Sequence, residues 1–241
     1  MISICIPSRG PTIGLWATIA GMTSALEFAG IRAEFCVLVN GRELDEYTTN
    51  LLTKIGAVWT HQEKPLPYPQ ARNHVAQMSK GEIIVFSDDH CVPSYNYFNL
   101  LDLRRCEILH ACYHPFVEAY RYYHQFLTPD FKRGDYSTLA AQAGPYYVAT
   151  ANHGVLAVTR EAWFKIGGYW DGFPGYGQDE CWLDLKAWEV GLRVMLDPNL
   201  RYWHFSVRHR DYERPRSDEI SGPSLDLNLV RQRLAEFNAV Y

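Results

Sequence analysis

The chain lacks any Cys-x-x-Cys pair among its six cysteines, Cys5, Cys36, Cys91, Cys106, Cys112 and Cys181. That absence argues against a zinc ribbon and against a disulfide framework. Cys5 and Cys36 fall inside apolar, strand-like runs, so the thiols read as small hydrophobes in a reducing compartment. No stretch approaches the roughly 18 consecutive apolar residues that a membrane-spanning helix needs. The N-terminus opens directly in MISICIP, with no charged segment ahead of an apolar one. The expectation is therefore a chain without signal peptide or transmembrane span, in the cytoplasm. A large charge imbalance is also missing: 23 Lys and Arg against 27 Asp and Glu give a formal net charge of -4. A surface built wholly for polyanions is excluded, though a local basic patch is not. There is no internal repeat and no low-complexity tract. What the chain has in excess is aromatic residues, 14% with 16 Tyr and 7 Trp, which suit concave binding surfaces as well as core. At 241 residues it suits one large domain or two small ones and can bury a substantial core.

The first hundred residues alternate strand and helix signals. Ile2–Ile6 is a short apolar strand closed by Pro7; Thr12 caps a helix over 13–29, and Gly30 stops it. Strands are expected at 33–39, 57–60 and 82–86, with helices at 43–55 and 70–79 between them. Such alternation predicts βαβ units, a mostly parallel sheet and helices on both faces. Ligands of these sheets bind beyond the carboxyl ends of the strands. Pro7-Ser8-Arg9, Asn40 and Asp88-Asp89-His90 all stand at such ends. Farther on, 154–159 reads as a strand, 160–166 as a helix capped by Thr159, and 179–190 as a helix. Short strands are expected at 193–196 and 200–204, a mobile loop at 208–224 and a final helix at 225–240. Residues 108–150, rich in Tyr and His, give no clear pattern.

The stretch VFSDDHCVP at 85–93 carries the first chemical signal. Asp is common where strands stop, so a polar turn is one reading. The other is a metal site, because Asp88 and His90 offer a hard oxygen and an imidazole two positions apart. Asp179-Glu180 opens the 179–190 helix. Acids there complement the helix macrodipole, and the same field keeps a carboxylate ionised and fit to act as a base. His204 ends a strand behind Tyr202-Trp203 and reads either as a packed core histidine or as a third ligand. Arg72, in Ala71-Arg72-Asn73, reads either as a surface arginine or as a fork for a phosphate or nucleobase.

The order of these parts resembles a known family. ARNHVAQMSKGEIIVFSDDHCVP, then IGGYWDGFPGYGQDECWLDLKAW, then RYWHF, is similar to the family 2 glycosyltransferases of the GT-A fold, over residues 2–205. The Asp-x-His-Cys form at 88–91 is closer to the polypeptide N-acetylgalactosaminyltransferases. The resemblance implies a GT-A fold: a Rossmann-like, mostly parallel α/β sheet flanked by helices, in a single domain over 1–205. Residues 1–92 would form its nucleotide-binding half and 93–205 its acceptor half. It implies Asp88, His90 and His204 as ligands of Mn²⁺ or Mg²⁺, and Pro7, Arg9, Asn40, Arg72, Asp88 and Asp89 around a nucleotide-sugar, most simply a UDP-sugar. It also implies Glu180 as the catalytic base, with Asp179 beside it. Two features depart from the family pattern. The acidic pair is Asp-Glu where Glu-Asp is usual, and the first strand ends IPSRG rather than IP-x-Y-N.

The implied reaction moves a sugar from the nucleotide to an acceptor hydroxyl; a carboxylate at the base position favours inversion, and the Asp-x-His likeness leaves retention open. Carboxylate and imidazole ligands suit Mn²⁺ better than Mg²⁺, which prefers an all-oxygen shell. Residues 201–216 carry Arg201, Arg208, Arg210, Arg214 and Arg216 among aromatics. They read as a loop that folds over the diphosphate; the alternative is a track for DNA bearing hydroxylated bases. A catalytically silent nucleotide-sugar-binding module is the other rival. A sugar nucleotidyltransferase is disfavoured, because SRGPT supplies no GxGxR-type loop.

Overall fold

In the computed structural model, residues 1–10, 12–41, 44–114, 154–172 and 179–204 are described, with 226, 228–229, 232–233 and 236. The first strand, β1 (Ile2–Ser8), is buried along its whole length. It runs between two parallel neighbours, β2 (Ala33–Asn40) and β4 (Ile83–Ser87). A strand with both faces covered reads as a nearly continuous apolar run, which is what ISICIPS is. Beyond β2 lies the parallel edge strand β3 (Val58–Gln62). The linking helices are α1 (Ile13–Ala29), α2 (Glu46–Lys54) and α3 (Tyr68–Met78). Thr12 Oγ1 accepts from Leu15 N at 3.1 Å, and Gly30 closes α1 in the left-handed region at φ 66°. Both predicted caps of that helix are therefore present.

The other half of the sheet is mixed. β7 (Val155–Thr159) lies antiparallel to β4, and β6 (Ile108–His114) antiparallel to β7. β8 (Val194–His204) runs parallel to β6, and the short β5 (Cys91–Pro93) pairs with β8 on its outer side. The eight strands form one sheet in the order β3-β2-β1-β4-β7-β6-β8-β5. Helix α4 (Tyr97–Leu100) follows β5, α5 (Arg160–Ile166) follows β7, and α6 (Asp179–Glu189) precedes β8.

Two cores cover the two faces, sorted by the two-residue alternation of the strands. Cys5, Cys36 and Leu38 face Val75, Trp163, Leu183 and Trp188. Ile4, Ile6, Val37 and Val39 face Leu15, Met22 and Leu52. No helix among the described residues is long and apolar enough to cross a membrane.

One expectation needs correction, and two strands had no counterpart in the sequence reading. The strands expected at 193–196 and 200–204 are one strand, β8, in which a register shift lets Ala111 face Asp197 while Cys112 faces Arg201. Asp197-Pro198-Asn199 looked like a break because it is one locally: Asn199 N turns back to Asp197 Oδ1 at 2.8 Å. Residues 108–114, without clear pattern in sequence, form the interior strand β6. β5, with three residues, is too short to carry a periodic signal. The expected loop at 208–224 lies outside the described residues. Of the expected final helix, residues 228–229, 232–233 and 236 are helical, residue 226 is not, and the others lie outside the described residues.

Candidate metal and donor site

β1, β2, β4 and β8 all finish at one end of the sheet, and β7 starts there. The chain leaves β4 through the turn Asp88-Asp89-His90, closed by Cys91 N donating to Asp88 O at 3.2 Å. Asp88 N donates to Gly154 O at 2.8 Å, fixing the turn to the start of β7. β5 then pairs with β8 so that Cys91 stands opposite His204. Backbone pairing alone thus carries two segments far apart in sequence to one spot.

There the Nε2 atoms of His90 and His204 face each other at 2.9 Å, with the rings edge to face and their centroids 4.4 Å apart. Asp88, His90, Cys91 and His204 each offer one ligand atom, and these atoms lie within 4.8 Å of one another. Two nitrogens each about 2.1 Å from one ion, at a right angle, stand about 3 Å apart. The donor set therefore fits a single divalent cation. The second acid, Asp89, braces the imidazole instead of joining the cluster. Asp89 Oδ1 lies 2.9 Å from His90 Nδ1, and its Oδ2 accepts from Ser8 Oγ at 2.7 Å. An ionised carboxylate only accepts, so the His90 proton belongs on Nδ1 and the Nε2 lone pair faces the cluster. Burial lowers the His90 pKa, but the bond to Asp89 and the charges of Asp88 and Asp89 outweigh it and raise the imidazole above its ordinary value.

Arg72 is fully buried, which disposes of the surface-arginine reading. Its guanidinium donates to Asp88 Oδ1 at 2.8 Å and to Tyr169 Oη at 2.8 Å. It also donates to Tyr68 Oη, which in turn donates to Asp88 Oδ1. The rings of Tyr68 and Tyr169 lie 4.6 and 5.4 Å from its central carbon. A buried carboxylate is tolerated only when paired, and here the partner is a fork held between two aromatic faces. The next residue, Asn73, clamps the GGYWD segment: it bonds Tyr169 N and O at 2.9 and 2.8 Å and Asp171 Oδ1 at 2.6 Å.

The remaining candidates occupy neighbouring strand ends. Asn40 exchanges two bonds with the backbone of Leu66, at 2.9 and 2.7 Å, tying the end of β2 to the loop before α3. Pro7 is buried opposite Leu38, and Arg9 is partly exposed just past β1. Asp179 and Glu180 open α6, but their side chains lie outside the described residues. One turn along that helix, Asp184 makes a buried 2.9 Å contact with His110 Nε2. Burial raises the Asp184 carboxyl despite the nearby His110. Of the Arg-rich stretch 201–216, residues 201–204 end β8 and the rest lie outside the described residues. Sequence reasoning missed Tyr68, Tyr169 and Cys91, and it placed Ser8 at a strand end without a role. Tyr68 sits four residues before Arg72 on one helix face, a spacing that marks a contact. Tyr169 reaches Arg72 from 97 positions away and leaves no such trace.

No family model matches the sequence. Among curated proteins, Probable N-acetylgalactosaminyltransferase 7 of Caenorhabditis elegans is 25% identical over 215 residues, 78% of this chain and 34% of its own. Human Polypeptide N-acetylgalactosaminyltransferase 10 is 26% identical over 177 residues, covering 65% and 28%. The chain thus spans about a third of the length of the curated relatives it matches. Among solved structures, GalNAc-T7 with UDP, GalNAc and Mn²⁺ superposes with a TM-score of 0.61 at 16% identity, over 85% of this chain and 43% of that one. The mannosyltransferase PcManGT from Pyrobaculum calidifontis, in complex with GDP-Man and Mn²⁺, gives 0.61 at 11% identity, over 99% and 74%. The fold is GT-A. In sequence the chain resembles the N-acetylgalactosaminyltransferases, as the Asp-x-His-Cys motif implied. That motif lies at the carboxyl ends of the GT-A sheet, where open α/β sheets bind their ligands.

Proposed function

We propose that the chain is a metal-dependent glycosyltransferase that moves a sugar from a nucleotide donor to an acceptor hydroxyl. The observation that carries this reading is the convergence of Asp88, His90 and His204 at the carboxyl end of a GT-A sheet. A UDP-sugar is the favoured donor, since the matched curated relatives are named N-acetylgalactosaminyltransferases and one solved neighbour holds UDP, GalNAc and Mn²⁺. Mn²⁺ is the favoured ion because the donors mix carboxylate and imidazole.

In this reading residues 1–92 serve the donor and 93–205 the acceptor. Arg72 and Tyr68 hold one oxygen of Asp88, and the carboxylate has a second oxygen to offer. Asp89, braced by Ser8, keeps the His90 ring turned so that Nε2 is available. His204 completes the set when its proton moves to Nδ1. When bound, the cation neutralises negative charge that builds on the departing diphosphate. Glu180 takes the proton of the acceptor hydroxyl as that oxygen bonds to the anomeric carbon and the bond to the nucleotide breaks. Its place in the first turn of α6 favours the ionised form. A carboxylate there supports inversion of the anomeric centre.

The test is a panel of nucleotide sugars incubated with Mn²⁺, scored for hydrolysis and for transfer to candidate acceptors, DNA with hydroxylated bases among them. Turnover of a UDP-sugar is expected, and Glu180→Gln should cut it about 10²–10⁴-fold while leaving UDP affinity nearly intact. Tight UDP binding with no turnover of any donor would overturn the enzyme reading in favour of a binding module.

A further inference from the structure

The metal reading uses three donors, yet a fourth stands among them. Cys91 Sγ belongs to the same cluster as the ligand atoms of Asp88, His90 and His204, all within 4.8 Å of one another. The thiol is completely buried, and strand pairing puts its residue directly opposite His204. Space for the sulfur is kept by Gly154: an added Cβ there would lie 2.7 Å from Cys91 Sγ and 2.7 Å from the Tyr202 ring.

We propose that Cys91 is a fourth, thiophilic donor that lets the centre close around Zn²⁺ or Cd²⁺ as a four-coordinate Asp-His-Cys-His site. This rests on the reading of the cluster as a metal centre and adds a choice between metals to it. A tetrahedral zinc with bonds of about 2.0–2.1 Å to nitrogen and oxygen and about 2.3 Å to sulfur separates its donors by roughly 3.3–3.6 Å. To reach that spacing the widest separation in the cluster contracts by about 1.2–1.5 Å and the 2.9 Å between the two Nε2 atoms opens slightly, changes of the size that side-chain rotation supplies. Hard Mn²⁺ gains little from a sulfur and keeps positions open for diphosphate oxygens, whereas thiolate ligands select soft and borderline ions. Zinc held by four protein donors has no position left, since closed tetrahedral sites are structural and open ones catalytic. Coordination replaces the S–H bond by a metal–sulfur bond, and the proton leaves to solvent. Thiophilic ions are therefore expected to compete with Mn²⁺ for this site and exclude the donor diphosphate.

The probe is Co²⁺ added to the metal-free protein, read by absorption. The expected spectrum has an intense near-ultraviolet sulfur-to-cobalt charge-transfer band and the strong visible bands of a tetrahedral ion. Cys91→Ser should lose the charge-transfer band and weaken Zn²⁺ binding by at least the 10–100-fold that outer-shell changes typically cost. Zn²⁺-loaded wild-type protein, measured by X-ray absorption, should show one sulfur at about 2.3 Å, which needs no variant to fold. Weak octahedral-type Co²⁺ bands with only nitrogen and oxygen around Zn²⁺ would overturn the role of Cys91 and leave the three-donor centre standing. A charge-transfer band that survives Cys91→Ser would assign the sulfur elsewhere and also overturn it. Absence of any Co²⁺ or Zn²⁺ binding would remove the metal centre itself.

Discussion

His90 and His204 are 114 residues apart in sequence, and their Nε2 atoms lie 2.9 Å apart where β5 pairs with the end of β8. Two imidazoles that point their Nε2 atoms at each other gain one hydrogen bond at most when no ion joins them. Ligation uses both lone pairs. Beside the pair, Asp89 fixes the His90 ring, and the neighbouring Asp88 is held by Arg72.

Asp89→Asn is expected to lower divalent-metal affinity by about 10–100-fold, the usual cost of removing a carboxylate that orients a ligating histidine. The fold should persist, because the amide can still accept from Ser8. Calorimetric titration of the variant with Mn²⁺ measures this. An unchanged affinity would show that Asp89 does not orient His90.

Arg72→Met should destabilise the chain by about 3–5 kcal/mol, because it leaves the Asp88 carboxylate and two tyrosine hydroxyls without their cation in a buried place. Arg72→Lys should recover only part, since an ammonium cannot bond Asp88, Tyr68 and Tyr169 as a planar fork. Urea denaturation of the two variants gives the comparison. A loss below about 1 kcal/mol for the methionine variant would contradict a structural role.

Gly14 sets helix propensity against packing. Alanine in a helix is favoured over glycine by about 1 kcal/mol. At this position, however, its Cβ would lie 2.7 Å from Asp89 O and 3.3 Å from His90 Cβ, where the first turn of α1 touches the Asp88-Asp89-His90 turn. Gly14→Ala is therefore expected to be net destabilising and to weaken Mn²⁺ binding. A variant more stable than the parent, with the same Mn²⁺ affinity, would show that α1 does not brace the turn.

Glu107 and Arg193 join the far end of β6 to β8, with contacts of 2.7 Å from Arg193 N and 2.7 Å from its Nη2. Burial raises the Glu107 carboxyl, but the hydrogen bonds and charge of Arg193 bring it below its ordinary value. A carboxylate with a depressed folded-state pKa stabilises above its unfolded value and loses that contribution as pH falls through the folded one. Both side chains are partly exposed, so the contribution is at most about 1 kcal/mol. The stability difference between wild type and Glu107→Gln should be present at pH 7 and shrink below about pH 4.3. A difference that does not change with pH would rule out the charged pair as its source.

The first half of the fold was legible because its signals are local. Thr12 and Gly30 cap α1, Thr159 caps α5, and apolar runs such as Ile83–Phe86 are long enough to mark buried strands. The second half depends on pairings that sequence does not display. β6 sits beside β8, which begins 80 residues after it finishes, and the register shift at Asp197 hides one strand as two. The site divides in the same way. Asp88 and His90 are legible as neighbours at a strand end. Arg72 is legible within Ala71-Arg72-Asn73, but its burial against Tyr169 follows from tertiary packing. Cys91 looked like any buried thiol until β5 and β8 placed it across from His204.

Binding of Mn²⁺ to the purified chain, followed by electron paramagnetic resonance with and without UDP, tests the central claim most directly. The account predicts loss of the free-ion signal at one equivalent, tighter binding when UDP is present, and recovery of the free signal in both His90→Ala and His204→Ala. Undiminished Mn²⁺ and UDP binding in those two variants would contradict a metal-dependent donor site built on Asp88, His90 and His204.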